Sequence, residues 1–419
     1  MKGFHNRNKG IGITFDDIYI LNGARTGFGK LGGSLSYISP TDLGIFAAKA
    51  AMERAGVDPS EIDQVVFSNI TPSSIDAYYL PRHVGLYSGI PVSVPAILVQ
   101  RLCGSGFETV ITAAEQISMG KAALILSGAG ENMTLSPTVS FGNRLGYALG
   151  QVLFQDFLAE ALKDSAIGGH MGCTAENLVT QYKITRNEVD EFAVLSQERA
   201  IAGKDRLREE MVALNSTTFN APGLNPRNVR MPKGVVDFAA DENVRATSME
   251  ALAKLKPAFT ADGVQTGGNS SGIVDGGAAL VVGSGQEAKA GKKTLLAKVI
   301  AATSSGVDPN TMGIGPVPSI RYLMEITGMK LDQVGLIEIN EAFAGQFIAC
   351  ERELGFDRKI ANVNGGAIAL GHPLSVSGAR ILLSLGMEMK RRNVKYGIGS
   401  ACVGGGQGTA VLLENPDFK

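Results

Sequence analysis

Cys103 is the first residue of this chain that could carry chemistry. It lies in the stretch QRLCGSGFETV (residues 100–110), between an apolar run and a helix predicted to begin near Ser105. Unpaired N–H groups and the helix dipole at such a position favour an anion, so a thiolate there could act as a nucleophile. A lone cysteine is more often a small buried hydrophobe, and partners for the thiol must decide between these interpretations. The neighbouring Gly104 and Gly106 are expected to leave room for a substrate.

Three further residues could act together with that thiol. His372, in GGAIALGHP, lies at a turn, and an imidazole can take a thiol proton near neutral pH. Cys402, in GSACVGGGQG, offers a second thiol as an acid or base, beside glycines whose backbone N–H groups can bind an oxyanion. Asn340 follows the strand-like GLIEI and so lies at a strand end, where sites of α/β proteins form. These residue types indicate nucleophilic attack by a cysteine on a carbonyl group.

Strand-like and helix-like stretches alternate along most of the chain. IYILNGA, QVVFSNI and AALILSGAG are typical of strands, whereas TDLGIFAAKAAMERAG and SGFETVITAAEQISMG have the spacing of amphipathic helices. This alternation predicts parallel or mixed sheets covered by helices, which is an α/β fold class. The 53 glycines agree with many tight turns between strands and helices.

An internal repeat indicates two similar α/β halves. The tripeptide Asp-Gln-Val occurs at 63–65 and at 332–334, each time between a helix end and a strand, so the copies are 269 residues apart. The same offset leads from Cys103 to His372, and LILSGAG and YGIGSAC match near it. We therefore expect Cys103 and His372 to lie at equivalent turns, which a pseudo-twofold axis could bring together.

Residues of about 135–270 break the repeat. They include the charged helix RNEVDEFAVLSQERAIAGKDRLREEM and the loop-like NAPGLNPRNVRMPKG, and we expect an inserted lid over the first half. The predicted domains are an N-terminal half with the nucleophile (1–134 plus about 272–293), an inserted ligand-binding loop domain (135–271), and a C-terminal half with the histidine and the second cysteine (294–419).

The composition excludes several classes of protein. The length of 419 residues predicts two or three domain-sized units, and 44% hydrophobic with 19% charged residues is typical of a soluble globular protein. A formal net charge of −1 argues against a broad nucleic-acid or membrane-surface footprint, and no apolar run approaches the roughly 18–20 residues of a membrane span. No apolar core of a secretory signal follows the N-terminus. Four cysteines without a CxxC pair predict reduced thiols, no zinc site and a cytoplasmic location.

Six motifs, in order, resemble those of the thiolase family. They are RLCGSG, HMGCTAEN, GNSSGIVDGGAA, INEAFA, NVNGGAIALGHP and GSACVGGGQG, and the resemblance covers about residues 16–415. The family comprises acetyl-CoA C-acetyltransferases and 3-ketoacyl-CoA thiolases. The resemblance implies a thiolase-like α/β fold of two similar βαβαβαββ halves in five layers (αβαβα), with an inserted loop domain that binds CoA and substrate.

The resemblance also implies roles for the residues of the reaction. Cys103 matches the nucleophile that is acylated, and His372 matches the histidine that activates it. Cys402 matches the acid or base that moves a proton at the acetyl-CoA methyl carbon. Asn340 matches the residue that fixes a water in one oxyanion hole, and the backbone N–H groups of Cys103 and Gly404 would form the other.

Three further matches concern CoA. Ser271 in GNSSG and His170 in GHMG match residues that line the pantetheine tunnel, and Arg245 in DENVRATSMEAL matches a basic residue near the adenine. The resemblance calls for no metal or redox cofactor, since CoA and acyl-CoA are substrates. The chain departs from the family pattern at Ser375, where many relatives have glycine, and at Ala129, where a second glycine is usual.

The implied function is thiolysis of 3-ketoacyl-CoA to acetyl-CoA and a shortened acyl-CoA, as in fatty-acid β-oxidation, together with the reverse condensation of two acetyl-CoA. A homodimer or homotetramer is implied as well. His170 is typical of short-chain acetoacetyl-CoA enzymes, whereas NVNGGAIALGHPL and GSACVGGGQG are typical of broader 3-ketoacyl-CoA enzymes. Chain length and direction therefore stay open.

Rival interpretations require other residues. A decarboxylating ketosynthase needs a second histidine where this chain has Cys402, and a non-catalytic acyl-CoA- or lipid-binding relative would lack Cys103, His372 or Cys402. A redox pair of Cys103 and Cys402 would form a disulfide and no acyl-enzyme. A glycine fingerprint for a dinucleotide at residues 27–32 is followed by no helix start and no acidic strand end.

Overall fold

A computed structural model describes residues 1–290 and 293–419 as a mixed α/β structure. The strands are β1 (Lys2–Asn6), β2 (Gly10–Thr14), β3 (Ile18–Thr26), β4 (Gly29–Lys30), β5 (Gln64–Ser68), β6 (Ala96–Leu98), β7 (Leu124–Glu131), β8 (Thr138–Val139), β9 (Gln155–Asp156), β10 (Lys163–Asp164), β11 (Gly169–His170), β12 (Met211–Val212), β13 (Thr217–Phe219), β14 (Arg227–Val229), β15 (Val274–Ser284), β16 (Ala297–Gly306), β17 (Leu336–Ile339), β18 (Tyr396–Val403) and β19 (Gln407–Glu414). The α-helices are α1 (Pro40–Ala55), α2 (Leu80–Tyr87), α3 (Ser105–Ser118), α4 (Phe157–Ala161), α5 (Met171–Tyr182), α6 (Arg186–Ala202), α7 (Lys204–Glu209), α8 (Met249–Ala253), α9 (Gly285–Lys289), α10 (Pro316–Thr327), α11 (Ala344–Leu354), α12 (Ala367–Leu370) and α13 (Val376–Arg391).

The long strands repeat one order and one set of directions. They follow the order β17-β18-β19-β16-β3-β15-β7-β5-β6. In the first half β3 and β15, and β15 and β7, are antiparallel, while β7 and β5 are parallel. In the second half β16 and β19, and β19 and β18, are antiparallel, while β18 and β17 are parallel. The two halves meet where β16 pairs with β3 over only two residues of each strand.

Equivalent backbone features of the halves lie 272 residues apart. β5 and β17 begin at 64 and 336, and β7 and β18 begin at 124 and 396. The helices α1 and α10 end at Gly56 and Gly328, both left-handed with φ of 68° and 67°. Leu102 and Leu374 share a positive φ of 43° and 31°, which is uncommon for leucine. The duplication expected from the sequence is therefore present in the backbone.

The alignment of that repeat, however, differs from the expected one by three residues. Asp-Gln-Val lies across the start of β5 in the first half, but Asp332 and Gln333 belong to a 3₁₀ helix (Leu331–Gln333) in the second. At the offset of 272 residues the counterpart of Cys103 is Ser375, not His372. The expectation that Cys103 and His372 occupy equivalent turns is wrong, because a short identity in sequence does not report backbone position.

Helices and strands form five layers, which confirms the expected fold class. Helix α1 packs on β3, β15 and β7, and α10 packs on β19, β16 and β18, so these helices cover the outer faces. Helices α3 and α13 pack against each other and lie between the two groups of strands. Their apolar side chains, Phe107 and Ile381 among them, belong to one buried cluster with residues of both halves. The two turns that precede α3 and α13 are therefore held together at the centre of the molecule.

The glycines beside Cys103 serve this packing and not ligand access. A Cβ on Gly106 would lie 2.4 Å from the backbone N of Ala379, and a Cβ on Gly378 would lie 2.4 Å from the backbone N of Phe107. A Cβ on Gly104 would lie 2.9 Å from a methyl carbon of Val403. The expectation that Gly104 and Gly106 leave room for a substrate is wrong, because protein atoms occupy that space.

The segment from 135 to 271 contacts both halves. Strand β12 pairs with β3, and Arg25 of β3 forms buried ion pairs with Glu210 and Asp241 of the segment, at 2.7 and 2.8 Å. Helices α5 and α6 instead pack on α11, and α6 also contacts α12. The expected lid over the first half describes only part of this segment, since its longest helices lie on the second half. The domain boundaries at 135 and 271 stay a prediction.

The N-terminal residues form a β-hairpin that covers a sheet edge. Strand β1 pairs with β2, and β2 pairs with β16 from Ile11 to Thr14. Phe15 is buried behind the hairpin in the central apolar cluster. An uncovered edge strand can pair with another chain, so this hairpin protects β16. Within residues 1–290 and 293–419, no helix has the length and apolarity that crossing a membrane requires.

Candidate active site

Cys103 lies in a single 3₁₀ turn, Leu102–Gly104, directly before α3. The backbone N–H of Arg101 donates to Ser105 Oγ at 2.8 Å, which helps to fix this turn. Burial raises the pKa of the Cys103 thiol to about 11, although hydrogen bonds from the backbone N–H groups of Gly404 and of Cys103 itself favour the thiolate. The resting thiol is therefore protonated and needs a base to become a nucleophile.

His372 has the properties of that base. Burial, and then the charge of Arg380, lower its pKa to about 4, so the imidazole is neutral at physiological pH. Its Nδ1 lies 2.6 Å from Ser377 Oγ, and its Nε2 lies 3.3 Å from Asn340 Nδ2. Because an amide nitrogen can only donate, Nε2 is the unprotonated nitrogen and Nδ1–H donates to Ser377. His372 Nε2 is therefore an unprotonated nitrogen that accepts from Asn340 at rest and can take a proton.

Asn340 and Cys402 come from two neighbouring strand ends. Asn340 follows β17, and its backbone N–H donates to the carbonyl oxygen of Ser400 in β18 at 2.9 Å. Its side-chain oxygen, Oδ1, is buried and has no protein partner in the described part of the chain. Cys402 lies in β18 itself, and burial, with Cys103 and Cys350 nearby, raises its pKa well above the usual value. Its thiol is thus a proton donor at rest.

Two adjoining cavities, here called the first and second lobes, form one cleft. The first lobe has a volume of about 220 Å³ and is lined by Cys103 and Gly404; the second has about 170 Å³ and is lined by His170, Ser271 and His372. Three residues line both lobes: Leu162, Met171 and Leu374. The structure therefore brings together five of the eight residues singled out in the sequence.

The other three candidates do not line this cleft. Asn340 reaches the second lobe through His372, and Cys402 packs in one cluster with Met171 and Phe343, which line that lobe. Arg245 is exposed and lines a separate cavity of about 590 Å³ beside α7. Asn243 lies between Arg245 and Gly272, which lines the second lobe. Arg245 Nη1 donates to the Asn243 carbonyl oxygen at 3.1 Å, and a Cβ on Gly272 would lie 2.9 Å from the Asn243 side chain.

Two residues that contact the site were not predicted from the sequence. Ser377 holds His372 Nδ1, and a serine one helical turn after a GHP turn was a signal that could have indicated it. Glu131 ends β7 and is fully buried, and its charge raises the pKa of Cys103 further. Its partner Ser375 is 244 residues away in the chain, so no local pattern indicated the contact. The described residues contain no group of three or more His, Cys, Asp or Glu side chains that could hold a metal ion.

Two family models match almost the whole chain. The thiolase N-terminal domain matches residues 18–286, and the thiolase C-terminal domain matches residues 293–415. The chain is 42% identical over 405 residues to the mitochondrial 3-ketoacyl-CoA thiolase of Homo sapiens, covering 95% of this chain and 98% of the relative. It is 42% identical over 398 residues to the acetyl-CoA acetyltransferase of Escherichia coli (strain K12), covering 94% and 98%. These matches confirm the resemblance seen in the six motifs.

Solved structures agree with this finding. The crystal structure of human mitochondrial 3-ketoacyl-CoA thiolase in complex with CoA matches with a TM-score of 0.89 at 41% identity, covering 95% of this chain and 98% of that one. The acetyl-CoA acetyltransferase of Bacillus anthracis matches with a TM-score of 0.88 at 38% identity, covering 96% and 99%. The cytoplasmic location expected from the cysteines is contradicted, because relatives at 40–42% identity are named as mitochondrial. Unpaired cysteines indicate a reducing compartment but do not distinguish one from another.

Proposed function

This chain belongs to the thiolase family and is an acyltransferase of CoA thioesters, and we propose that it cleaves 3-ketoacyl-CoA through an acyl intermediate on Cys103. The observation that carries the proposal is the arrangement in one cleft of a protonated thiol, a neutral imidazole with an unprotonated Nε2, and the backbone N–H of Gly404 aimed at the sulfur. In the same setting Cys402 supplies a second, buried thiol.

In the first half-reaction, His372 Nε2 takes the Cys103 proton and the thiolate attacks the 3-keto carbonyl carbon. The C2–C3 bond breaks, and its electron pair stays on C2 as the enolate of acetyl-CoA. The Cys402 thiol protonates C2, and acetyl-CoA leaves. The backbone N–H groups of Cys103 and Gly404 stabilise the oxyanion on the attacked carbon. His372 and Asn340 stabilise the negative charge on the thioester oxygen of the enolate.

In the second half-reaction, the thiol of CoA gives its proton to the Cys402 thiolate and attacks the acyl carbon. The Cys103 thiolate is the leaving group, and the imidazolium of His372 returns its proton. Both cysteines and the histidine end in their starting protonation states. Two thiols are required, because a cysteine that carries the acyl group cannot also move the C2 proton.

We propose that CoA enters along the second lobe. Ser271 and His170 line that lobe and suit contacts to pantetheine, with Ser271 held by its backbone N–H bond to the Ala342 carbonyl oxygen at 3.0 Å. Arg245, which donates to the carbonyl oxygen of Asn243 beside Gly272, suits the adenosine end of CoA. Its exposed guanidinium would meet the charged, solvated part of the ligand.

We propose a homo-oligomer built from exposed apolar surface. Strand β6 pairs only with β5 in the described residues and leaves a free edge, and Ile75, Tyr78 and Val92, which precede β6 in the chain, are exposed apolar side chains. A second exposed apolar group occupies the β8–β9 hairpin: Phe141, Leu145, Leu149, Leu153 and Phe154. A second copy of this chain is the proposed partner at β6. Light scattering should give a dimer if only one surface is used and a tetramer if both are.

The activity is tested by a burst experiment. Enzyme mixed with a 3-ketoacyl-CoA in the absence of free CoA should release about one acetyl-CoA per Cys103 and stop, and added CoA should then release the shortened acyl-CoA. The same burst is measured with a series of substrates from acetoacetyl-CoA to long-chain 3-ketoacyl-CoA. The series shows which acyl chain lengths the enzyme cleaves in the direction of fatty-acid degradation. Turnover without free CoA, or no acetyl-CoA burst with any chain length, contradicts the proposal.

A further inference from the structure

Ser375 is the backbone counterpart of the nucleophile but directs its side chain elsewhere. It follows the positive-φ Leu374 just as Cys103 follows Leu102, and it occupies the N-cap position of α13. A serine at such a position normally accepts a hydrogen bond from its own helix, yet this hydroxyl makes no capping bond. Instead Ser375 Oγ donates to Glu131 Oε2 at 2.6 Å. The side chain therefore connects the second half to the first.

Glu131 is the buried acceptor at the centre of this connection. Its Oε1 accepts from Asn69 Nδ2 at 2.9 Å and from the N–H and hydroxyl of Thr71 at 2.8 and 2.6 Å. Its Oε2 accepts from the Ile70 N–H at 3.1 Å and from the N–H and hydroxyl of Ser375. Burial raises the pKa of the Glu131 carboxyl, and the hydrogen bonds donated by Ser375, Thr71 and Ile70 oppose that rise because they favour the carboxylate. Among the bonds to this carboxylate, those from Ser375 are the ones that come from the second half.

The loop from His372 to Ser375 contributes two residues to the lining of the cleft. His372 lines the second lobe, and Leu374 lines both lobes. The loop is fixed at its start by the bond from the His372 N–H to the Gly272 carbonyl oxygen, at 2.9 Å. At its other end, the side-chain tie to the half that holds Cys103 is the Ser375–Glu131 bond.

We propose that Ser375 is a positioning residue, whose hydroxyl bond to Glu131 sets the His372 loop against the turn of Cys103. This role rests on the proposed function, since it assigns Ser375 to the acylation step. Ser375 touches no reacting atom and acts through His372, Leu374 and Glu131.

The bond also has an electrostatic consequence for the nucleophile. The negative charge of Glu131 raises the pKa of Cys103, which burial has already raised to about 11. In the ionised carboxylate, the hydroxyl donor on Oε2 partly neutralises that charge, so at a pH where Glu131 stays ionised, loss of the hydroxyl should raise the pKa of the Cys103 thiol further. A residue that only filled space at position 375 would not change the titration of Cys103.

The test uses the Ser375→Ala and Ser375→Gly variants of the full chain. Single-turnover acetylation of Cys103 by acetyl-CoA should be about tenfold slower, with the acetyl-CoA concentration for half-maximal rate unchanged, because a shifted base slows proton transfer without removing ligand contacts. The pH profile of Cys103 alkylation by iodoacetamide, measured between about pH 8 and 11, should move up by about half a unit.

Two further variants keep the test falsifiable. Ser384→Ala removes another buried serine of α13, whose hydroxyl has no hydrogen-bond partner among the described residues, and should leave rate and profile unchanged. Glu131→Gln removes the charge and should move the alkylation profile down. If both Ser375 variants keep the wild-type profile and acetylation rate, the proposal is overturned. Alkylation needs no acyl-CoA, so a shifted profile in a protein that is never acetylated would contradict the proposed function alone.

Discussion

The turns at Leu102–Ser105 and Leu374–Ser377 have the same backbone course and different chemistry. Each begins with a leucine of positive φ and leads into a central helix. The first presents a thiol to the cleft, whereas the second turns its hydroxyl to a buried carboxylate and leaves the base to a residue three positions earlier. A duplicated fold thus supplies two equivalent positions, and the side-chain environment decides which one reacts.

The largest expected effect is the loss of thiolysis activity when the thiol is removed from the first turn or moved to the second. Cys103→Ala should lower thiolysis by more than about 10³-fold, because the other hydroxyl or thiol of the first turn, Ser105 Oγ, is buried and accepts from the Arg101 N–H. Adding Ser375→Cys to that variant should restore nothing, since a thiol there faces Glu131 and not the cleft. Thiolysis assays on both variants check this, and recovery of activity in the double variant would show that the turns are chemically interchangeable.

Cys402 separates proton transfer from acylation. Cys402→Ala should still be acetylated on Cys103, because His372 activates that thiol without it. Exchange of the acetyl methyl protons of acetyl-CoA with deuterated water should fall by about 10²–10⁴-fold, the usual contribution of a general base. NMR of acetyl-CoA in D₂O measures the exchange, and wild-type exchange in the variant would remove Cys402 from its role.

The folded protein should lose stability at opposite ends of the pH scale through its two reactive groups, His372 in acid and Cys103 in alkali. The pKa of His372 is about 4 in the folded protein against an ordinary value of 6.5, so the unfolded chain binds more protons between those values and stability falls as the pH drops from 6.5 to 4. The pKa of Cys103 is about 11 against 9.0, so its contribution is full below 9 and is lost as the pH rises to 11.

The size of the histidine contribution is about 3 kcal/mol. Urea unfolding across pH should show that His372→Gln flattens the acid limb only and Cys103→Ala the alkaline limb only. If either substitution changed the opposite limb, the assignment of the two limbs would be wrong.

The smallest expected effect concerns the close crossing of α3 and α13, to which each half contributes one glycine. Gly106→Ala and Gly378→Ala each place a Cβ 2.4 Å from a backbone nitrogen of the facing helix. Both should lower the free energy of unfolding by similar amounts, about 1–3 kcal/mol, since the crossing of α3 and α13 is nearly symmetric. Thermal unfolding of the two variants checks this, and a loss confined to Gly106 would favour the ligand-access role that the sequence indicated.

Much of the site was readable from local sequence. Cys103 before a helix, His372 at a turn and Cys402 among glycines were identified from residue types, and the structure places Cys103 and His372 in adjoining lobes of one cleft. Local chemistry of this kind depends on the few residues around each group, so a short motif carries it. The alternation of strands and helices predicted the α/β class for the same reason.

Features that depend on distant contacts were not readable. The identity of Asp63 and Asp332 misaligned the repeat by three residues, whereas the helix-ending glycines Gly56 and Gly328 are spaced correctly because a left-handed backbone constrains residue type. Gly106 was assigned to ligand access because nothing local shows that α13 crosses there. The bond between Glu131 and Ser375 joins residues of opposite halves and has no sequence period.

The most direct test of the account is the site of the acyl group. Wild-type protein mixed with acetyl-CoA, measured by intact mass and then by peptide mapping, should carry one acetyl group on Cys103 and none on Cys402 or on Ser375. The adduct should be absent from Cys103→Ala and should disappear from the wild type when CoA is added. An acetyl group on Ser375 or Cys402, or an unmodified but accessible Cys103, would contradict the assignment of the nucleophile to the first turn.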